Sequence, residues 1–208
     1  MYSNKYFIPL VLPETPLKKE FQLPSFPASA PNSYEIYKPE EILDQQIAPI
    51  FKKINLEIKN VALFYKRANS RGAIHTDIFL ENNRWKKMVA GVNWNITGAD
   101  SRMNWYQVDE IEVEPELNPP AELRSKSWYY TLNGLHFGSR GSVDPAKAKA
   151  KVLESAYIGG PTLVRTDIPH SVINTDKTKG RWALSIRFAP DFENWNQAIS
   201  ALMPLISK

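Results

Sequence analysis

The chain has 208 residues, a formal net charge of +4 and no cysteine. That length suits one domain with a sizeable core, and the mild basicity comes without the Lys/Arg run that would argue for nucleic acid. Disulfides, thiolate metal sites, CxxC redox chemistry and cysteine nucleophiles are excluded outright.

The first segment, MYSNKYFIPLVLPETPLKKEF, lacks the charged start, long apolar centre and cleavage site of a signal peptide. No run approaches the roughly 20 apolar residues of a membrane span, so the expectation is a soluble, cytoplasmic protein. Residues 1–38 are proline-rich with little periodicity, and read as an extended arm over the domain, anchored by Phe7, Ile8, Leu10, Phe21 and Leu23. In KPEEILDQQIAPIF, Pro39 suits a first helical position, acids fill the first turn, and Ile42, Leu43 and Ile47 fall at helical spacing. This predicts a helix that ends near Pro49.

From residue 54 the pattern changes. INLEIKNVALFYKR, GAIHTDIFL, KKMVAGVNWNIT, SRMNWYQVDEIEVE, SKSWYYTLN, SAYIGGPTLVRTDI and GRWALSIRFAP are short runs rich in β-branched and aromatic residues. Turn-forming groups separate most of them: Asn69-Ser70, residues 97–100, Asn118-Pro119-Pro120 and Gly159-Gly160-Pro161. Closely spaced strands without intervening helices argue for an antiparallel sandwich or barrel. One helix is expected among them, DPAKAKAKVLESA, capped by Asp144 with Pro145 at its first position. The end, DFENWNQAISALMPLISK, predicts a helix behind an Asp191 cap, with Phe192, Trp195, Ile199, Leu202 and Ile206 along one face. The expected organisation is an arm and helix over 1–60, a β core over 61–190 and a C-terminal helix over 191–208, all in one domain.

AIHTDIF, residues 73–79, carries the first chemical signal. Strand alternation places Ala73, His75, Asp77 and Phe79 on one face, so an imidazole and a carboxylate share a face otherwise suited to burial. Polar groups there need partners. The pair is either a structural hydrogen bond or part of a metal site, and with three histidines and eight aspartates in the chain the HxD motif alone does not decide.

IPHSVINTDKTKGRWALSIRF adds to it. His170 follows a strand-like run, and Arg181 opens another strand eleven residues later. Alternation puts Arg181, Ala183, Ser185 and Arg187 on one face, with Trp182, Leu184, Ile186 and Phe188 on the other. A permanently charged guanidinium on such a strand needs an anion, either an internal carboxylate or a bound one held bidentately.

Together these residues resemble the 2-oxoglutarate- and iron(II)-dependent oxygenases, most closely the phytanoyl-CoA and prolyl hydroxylase branches. AGVNWNITGADSRMNWYQ is also similar to a segment of small members of that group. The resemblance covers about residues 61–190 and implies a mainly β fold, the double-stranded β-helix or jelly-roll barrel, with flanking helices. It implies an Fe(II) ligand set of His75, Asp77 and His170, the facial triad that leaves three positions open. It implies 2-oxoglutarate as co-substrate, its far carboxylate anchored by Arg181, and hydroxylation of a substrate with release of succinate and carbon dioxide.

Arg187 shares the face of Arg181 and is the alternative anchor. Ser185 or Tyr106 is placed to support the same carboxylate, and Asn93 or Asn95 to hold the keto acid end; each has an ordinary surface or turn role as its alternative. Asp167 replaces Asp77 as ligand if the register differs. His136, in NGLHFGS, reads as a loop residue over the barrel mouth, exposed or touching substrate. Trp105, Tyr106, Trp128, Tyr129 and Tyr130 line a substrate pocket or are plain core. Two other classes stay open: a cupin-like barrel that binds metal without oxygenase activity, and an interaction module in which the arm is the working part.

Overall fold

The computed structural model describes residues 4–26, 30–72, 74–81, 84–108, 130–132, 135–137 and 150–207. It is mainly β. In chain order the strands are β1 (Phe7–Pro9), β2 (Ser33–Tyr37), β3 (Glu57–Lys66), β4 (Ser70–Arg71), β5 (Ile78–Glu81), β6 (Arg84–Lys87) and β7 (Ala90–Asn95). They continue with β8 (Ser101–Val108), β9 (Tyr130–Leu132), β10 (Leu135–Phe137), β11 (Ala150–Ala156), β12 (Thr162–Arg165), β13 (His170–Asn174) and β14 (Arg181–Ala189). The large sheet runs β1-β12-β7-β14-β3-β2 and the small one β11-β8-β13-β4; β5 with β6 and β9 with β10 form separate two-stranded sheets. All described pairings are antiparallel.

Strand β14 organises the molecule because both of its faces are covered. Trp182, Leu184, Ile186 and Phe188 join Val61 and Leu63 of β3 and Val92 and Trp94 of β7 in the main core. Helices α1 (Pro39–Ile42), α2 (Ile47–Lys52) and α3 (Trp195–Leu202) close that core with Ile42, Ile47, Phe51, Trp195 and Leu202. Each such side chain removed from water contributes roughly 1.5–3 kcal/mol. Between the two sheets lies a smaller core of Met103, Trp105, Ala156, Ile158 and Val164. The candidate site sits beside it.

The arm is built into the large sheet. Its β1 pairs with β12 at one edge and β2 pairs with β3 at the other. Ile8 and Leu10 are buried, and Phe21 and Leu23 pack on the main core, while Phe7 packs on the smaller one. Asn69 turns between β3 and β4 with a φ of 45°, a conformation asparagine tolerates better than most side chains.

Several expectations are corrected. The single helix over residues 39–49 is two short ones, α1 and α2, and Pro49 lies inside the first turn of α2 instead of ending a helix. A proline is tolerated there because first-turn N–H groups have no intrahelical acceptor. The C-terminal helix is capped by Asn194, whose side chain accepts from the Gln197 amide at 3.0 Å, whereas Asp191 pairs with Lys59 at 3.6 Å. The helix expected from Asp144 to Ala156 is, from residue 150 onward, the strand β11; Asp144 and Pro145 lie outside the described residues. Alanine and lysine favour a helix locally, but pairing with β8, burial of Ala156 and the 2.7 Å bond from Ser155 Oγ to Asn104 Oδ1 outweigh that preference.

His136 belongs to β10, paired with Thr131 of β9, and is not a loop residue; its side chain lies outside the described set. Trp128, Tyr129 and the turn at Asn118-Pro119-Pro120 also fall outside it, as does the side chain of Tyr130. Among the described residues, no helix is long and apolar enough to cross a membrane.

Candidate metal centre and its cavity

His75 lies outside the regular strands, as an isolated bridge to His170, the first residue of β13. The two residues exchange both backbone bonds, His75 N to His170 O at 2.9 Å and His170 N to His75 O at 2.8 Å. That pairing sets the imidazoles side by side, with ring centroids 4.5 Å apart. Asp77, two residues on and so on the same face, is held by its amide bond to Thr166 O at 3.0 Å and by the Met88 amide bonding to Asp77 O at 2.8 Å. The reading of one continuous strand here is thus replaced: residues 74–77 form a segment tied to β13 and to the end of β12, and Ile78 opens β5.

His75 Nε2 lies 3.5 Å and His170 Nε2 3.6 Å from Asp77 Oδ1, and a ligand atom from each residue falls within 4.8 Å of the others. Both His–Asp separations exceed a hydrogen bond. Ligands at adjacent octahedral positions around a divalent ion sit about 3 Å apart, so each His–Asp separation needs to close by only about half an ångström. His170 Nδ1 meets Ile168 O at 2.9 Å, which assigns the ring proton to Nδ1 and turns a bare Nε2 lone pair toward the carboxylate. Burial and the neighbouring His75 push the His170 pKa down, so the ring is held neutral. A His170 lone pair facing a carboxylate oxygen, with His75 Nε2 beside both, is an arrangement that a cation satisfies.

Arg187, on β14, pairs with Asp77 Oδ2 and leaves Oδ1 for the two histidines. Burial alone would raise the Asp77 carboxyl; the Arg187 guanidinium against it outweighs this and holds the group well below the usual carboxylate range. Gly91 makes room for this arginine. A Cβ there would overlap Arg187 Nη1, and would stand 2.9 Å from its Cζ and 3.0 Å from Ser185 Oγ.

The triad opens into a cavity of about 390 Å³ between the sheets, which also exposes Lys66, Asn93, Arg181 and Arg187. Tyr34 lines it and stacks on Phe64 with centroids 5.9 Å apart. Arg181 is 5% exposed and Arg187 5% exposed. Arg181 Nε and Arg187 Nη1 are buried donors with no acceptor. Burial lowers the Arg181 guanidinium to about 10, although Tyr157 works the other way.

The remaining expected residues separate cleanly. Asn93 lines the cavity and accepts from Ser185 Oγ, whereas Asn95 is tied by its Nδ2 to Ala99 O at 2.9 Å. Tyr106 points to the other face of β8, its hydroxyl 2.9 Å from Ser171 Oγ and 3.2 Å from Asn104 Nδ2; it does not line the cavity. Trp105 belongs to the small core, stacked on Phe7 at 5.8 Å and donating to Arg165 O at 2.8 Å. Asp167 is engaged by Arg165 Nε at 2.7 Å, and the ligand cluster contains Asp77 instead.

Sequence reasoning missed Lys66 and the Arg187–Asp77 pair. Parity on ALFYK places Lys66 on the face of Ala62 and Phe64, a signal that was available. The choice of Asp77 as partner of Arg187 has no sequence signature, because it spans 110 positions. Compared with known proteins, the chain matches no family model and no curated relative.

Proposed function

We propose that the protein is a non-haem Fe(II)- and 2-oxoglutarate-dependent dioxygenase that hydroxylates a substrate, its two sheets forming the jelly-roll barrel of that superfamily. The observation that carries the reading is the convergence of His75 Nε2, Asp77 Oδ1 and His170 Nε2 on a cavity that also holds orphaned guanidinium donors. Among the described residues, three cations face this cavity against one carboxylate, and iron(II) would add two further positive charges, an excess that a dicarboxylate offsets in part.

Bound iron with 2-oxoglutarate supplies the oxidising power, consuming oxygen and the keto acid and yielding succinate, carbon dioxide and hydroxylated product. The chain's own residues do the positioning. His75, Asp77 and His170 would hold the metal and leave coordination positions for the co-substrate and oxygen. Ile168 O fixes the His170 tautomer, and Arg187 keeps Asp77 a carboxylate presenting one oxygen. Arg187 Nη1 is left to meet the acid end of the co-substrate, Asn93 lies beside it, and Arg181 receives the far carboxylate. Arg187, engaged by Asp77, is thereby set aside as the far anchor.

The test is anaerobic. Iron(II) and 2-oxoglutarate added to the wild-type protein give a visible charge-transfer band; His170→Ala abolishes it, and Arg181→Ala demands at least about tenfold more co-substrate. Iron bound without any band on adding the keto acid would turn the assignment to a metal-binding barrel without oxygenase activity.

A further inference from the structure

Lys66 and Arg181 are direct partners across the β3–β14 ladder. Their side chains leave the same face of the sheet, and both line the cavity. Like charges directly opposite on neighbouring strands repel. Here the repulsion is not relieved by the protein, since neither group pairs with a carboxylate among the described residues, and the Nε of Arg181 has no acceptor at all. Burial with the neighbouring Arg181 lowers the Lys66 ammonium to about 8. Glycine at position 72 admits the lysine, because its Nζ occupies the space a Gly72 Cβ would take. The Gly72 amide bonds Val172 O at 2.8 Å, so the ammonium lies near Val172. Two residues of β13 separate Val172 from His170, roughly 7 Å along the strand. That is the reach of a five-carbon dicarboxylate whose other end sits at the triad.

We propose that Lys66 and Arg181 together form a two-cation carboxylate site at the end of the cavity away from the His75–Asp77–His170 cluster, with Lys66 as a co-substrate-binding residue. This rests on the oxygenase reading for the identity of the dicarboxylate. The second cation makes the site selective: a keto acid without a far carboxylate leaves both charges facing each other and binds weakly, whereas a dicarboxylate bridges them. Arg181 contributes a planar fork and Lys66 a point charge, so the two hold one carboxylate from different strands.

The experiment compares 2-oxoglutarate with 2-oxobutyrate, which keeps the keto acid end and lacks the far carboxylate. With iron(II) under nitrogen, the charge-transfer band is titrated in wild type, Lys66→Met and Lys66→Gln. The expected result is at least about tenfold weaker binding of 2-oxoglutarate in both variants with 2-oxobutyrate unchanged, the loss of one charge-assisted bond. A second arm uses metal-free protein and glutarate, read by thermal unfolding. Glutarate raises the wild-type midpoint and fails to do so in Lys66→Met, while without ligand Lys66→Met melts about one or two degrees higher than wild type because the repulsion is gone. Equal 2-oxoglutarate affinity in wild type and variants would overturn the role of Lys66 and leave the oxygenase reading standing. No band with either acid would overturn the oxygenase reading. Glutarate stabilisation lost in Lys66→Met would then still establish the carboxylate site, and its absence in wild type would remove it.

Discussion

The two faces of β14 solve opposite problems. Toward the helices, Trp182, Leu184, Ile186 and Phe188 meet only apolar neighbours, and the gain is hydrophobic burial. Toward the small sheet, Arg181, Ser185 and Arg187 are as deeply buried, yet two of the three keep a donor without an acceptor. One strand therefore contributes stability through its even-numbered residues and holds unsatisfied charge through the odd-numbered ones. Buried polar groups without partners cost free energy in the ligand-free protein. The outer face supplies the margin that lets the inner face keep these unpaired donors.

The contrast can be broken most strongly from the outer side. Phe188→Ala removes a ring that is 1% exposed and packed at 5.0 Å from Phe51; chemical denaturation should show a loss of about 3–5 kcal/mol. The iron affinity of the folded fraction should stay unchanged, and a change would mean the two faces are coupled. From the inner side, Arg187→Met strips the partner from Asp77, whose side chain is 18% exposed. A loss of about 2–3 kcal/mol is expected without metal. Iron(II), by neutralising the same carboxylate, should recover part of it, so that metal raises the melting temperature of the variant more than that of wild type. Equal metal stabilisation in both would argue against Asp77 as a ligand.

The smallest effect concerns Lys66. Its folded value of about 8 lies below the ordinary 10.5, so between these values the unfolded chain carries a proton that the folded chain lacks. Ligand-free stability contributed at this position is therefore lowest below about 8 and recovers as pH rises toward 10.5. Melting wild type and Lys66→Met in parallel across this range should show wild type gaining on the variant as pH increases, and glutarate should flatten the difference. A gap independent of pH would mean the lysine is not under electrostatic stress.

Much of this arrangement was legible in the chain. β-branched runs and turn residues marked β3, β7, β8, β12 and β14, and strand parity alone separated the charged face of β14 from its apolar face. His75 and Asp77 stood out because imidazole and carboxylate are costly among apolar residues unless something pairs with them; His170 joined them through the resemblance to the oxygenases. Where local preference and tertiary pairing disagreed, the sequence misled: the helix expected to run to Ala156 is, over its described residues from Ala150, a strand paired with β8. Tyr106 was equally undecided until the pairing of β8 with β13 turned its hydroxyl to Ser171, away from the cavity.

Sequence by itself determined composition, the strand periodicity, the charged parity of β14 and the residue types able to hold a metal. Tertiary structure alone decided which groups meet: His75 beside His170 across a bridge, Arg187 on Asp77, and Lys66 opposite Arg181. The physical reason is range. Periodicity and propensity act over a few residues, whereas each of these contacts joins segments about a hundred positions apart, whose register is set by burial of whole faces.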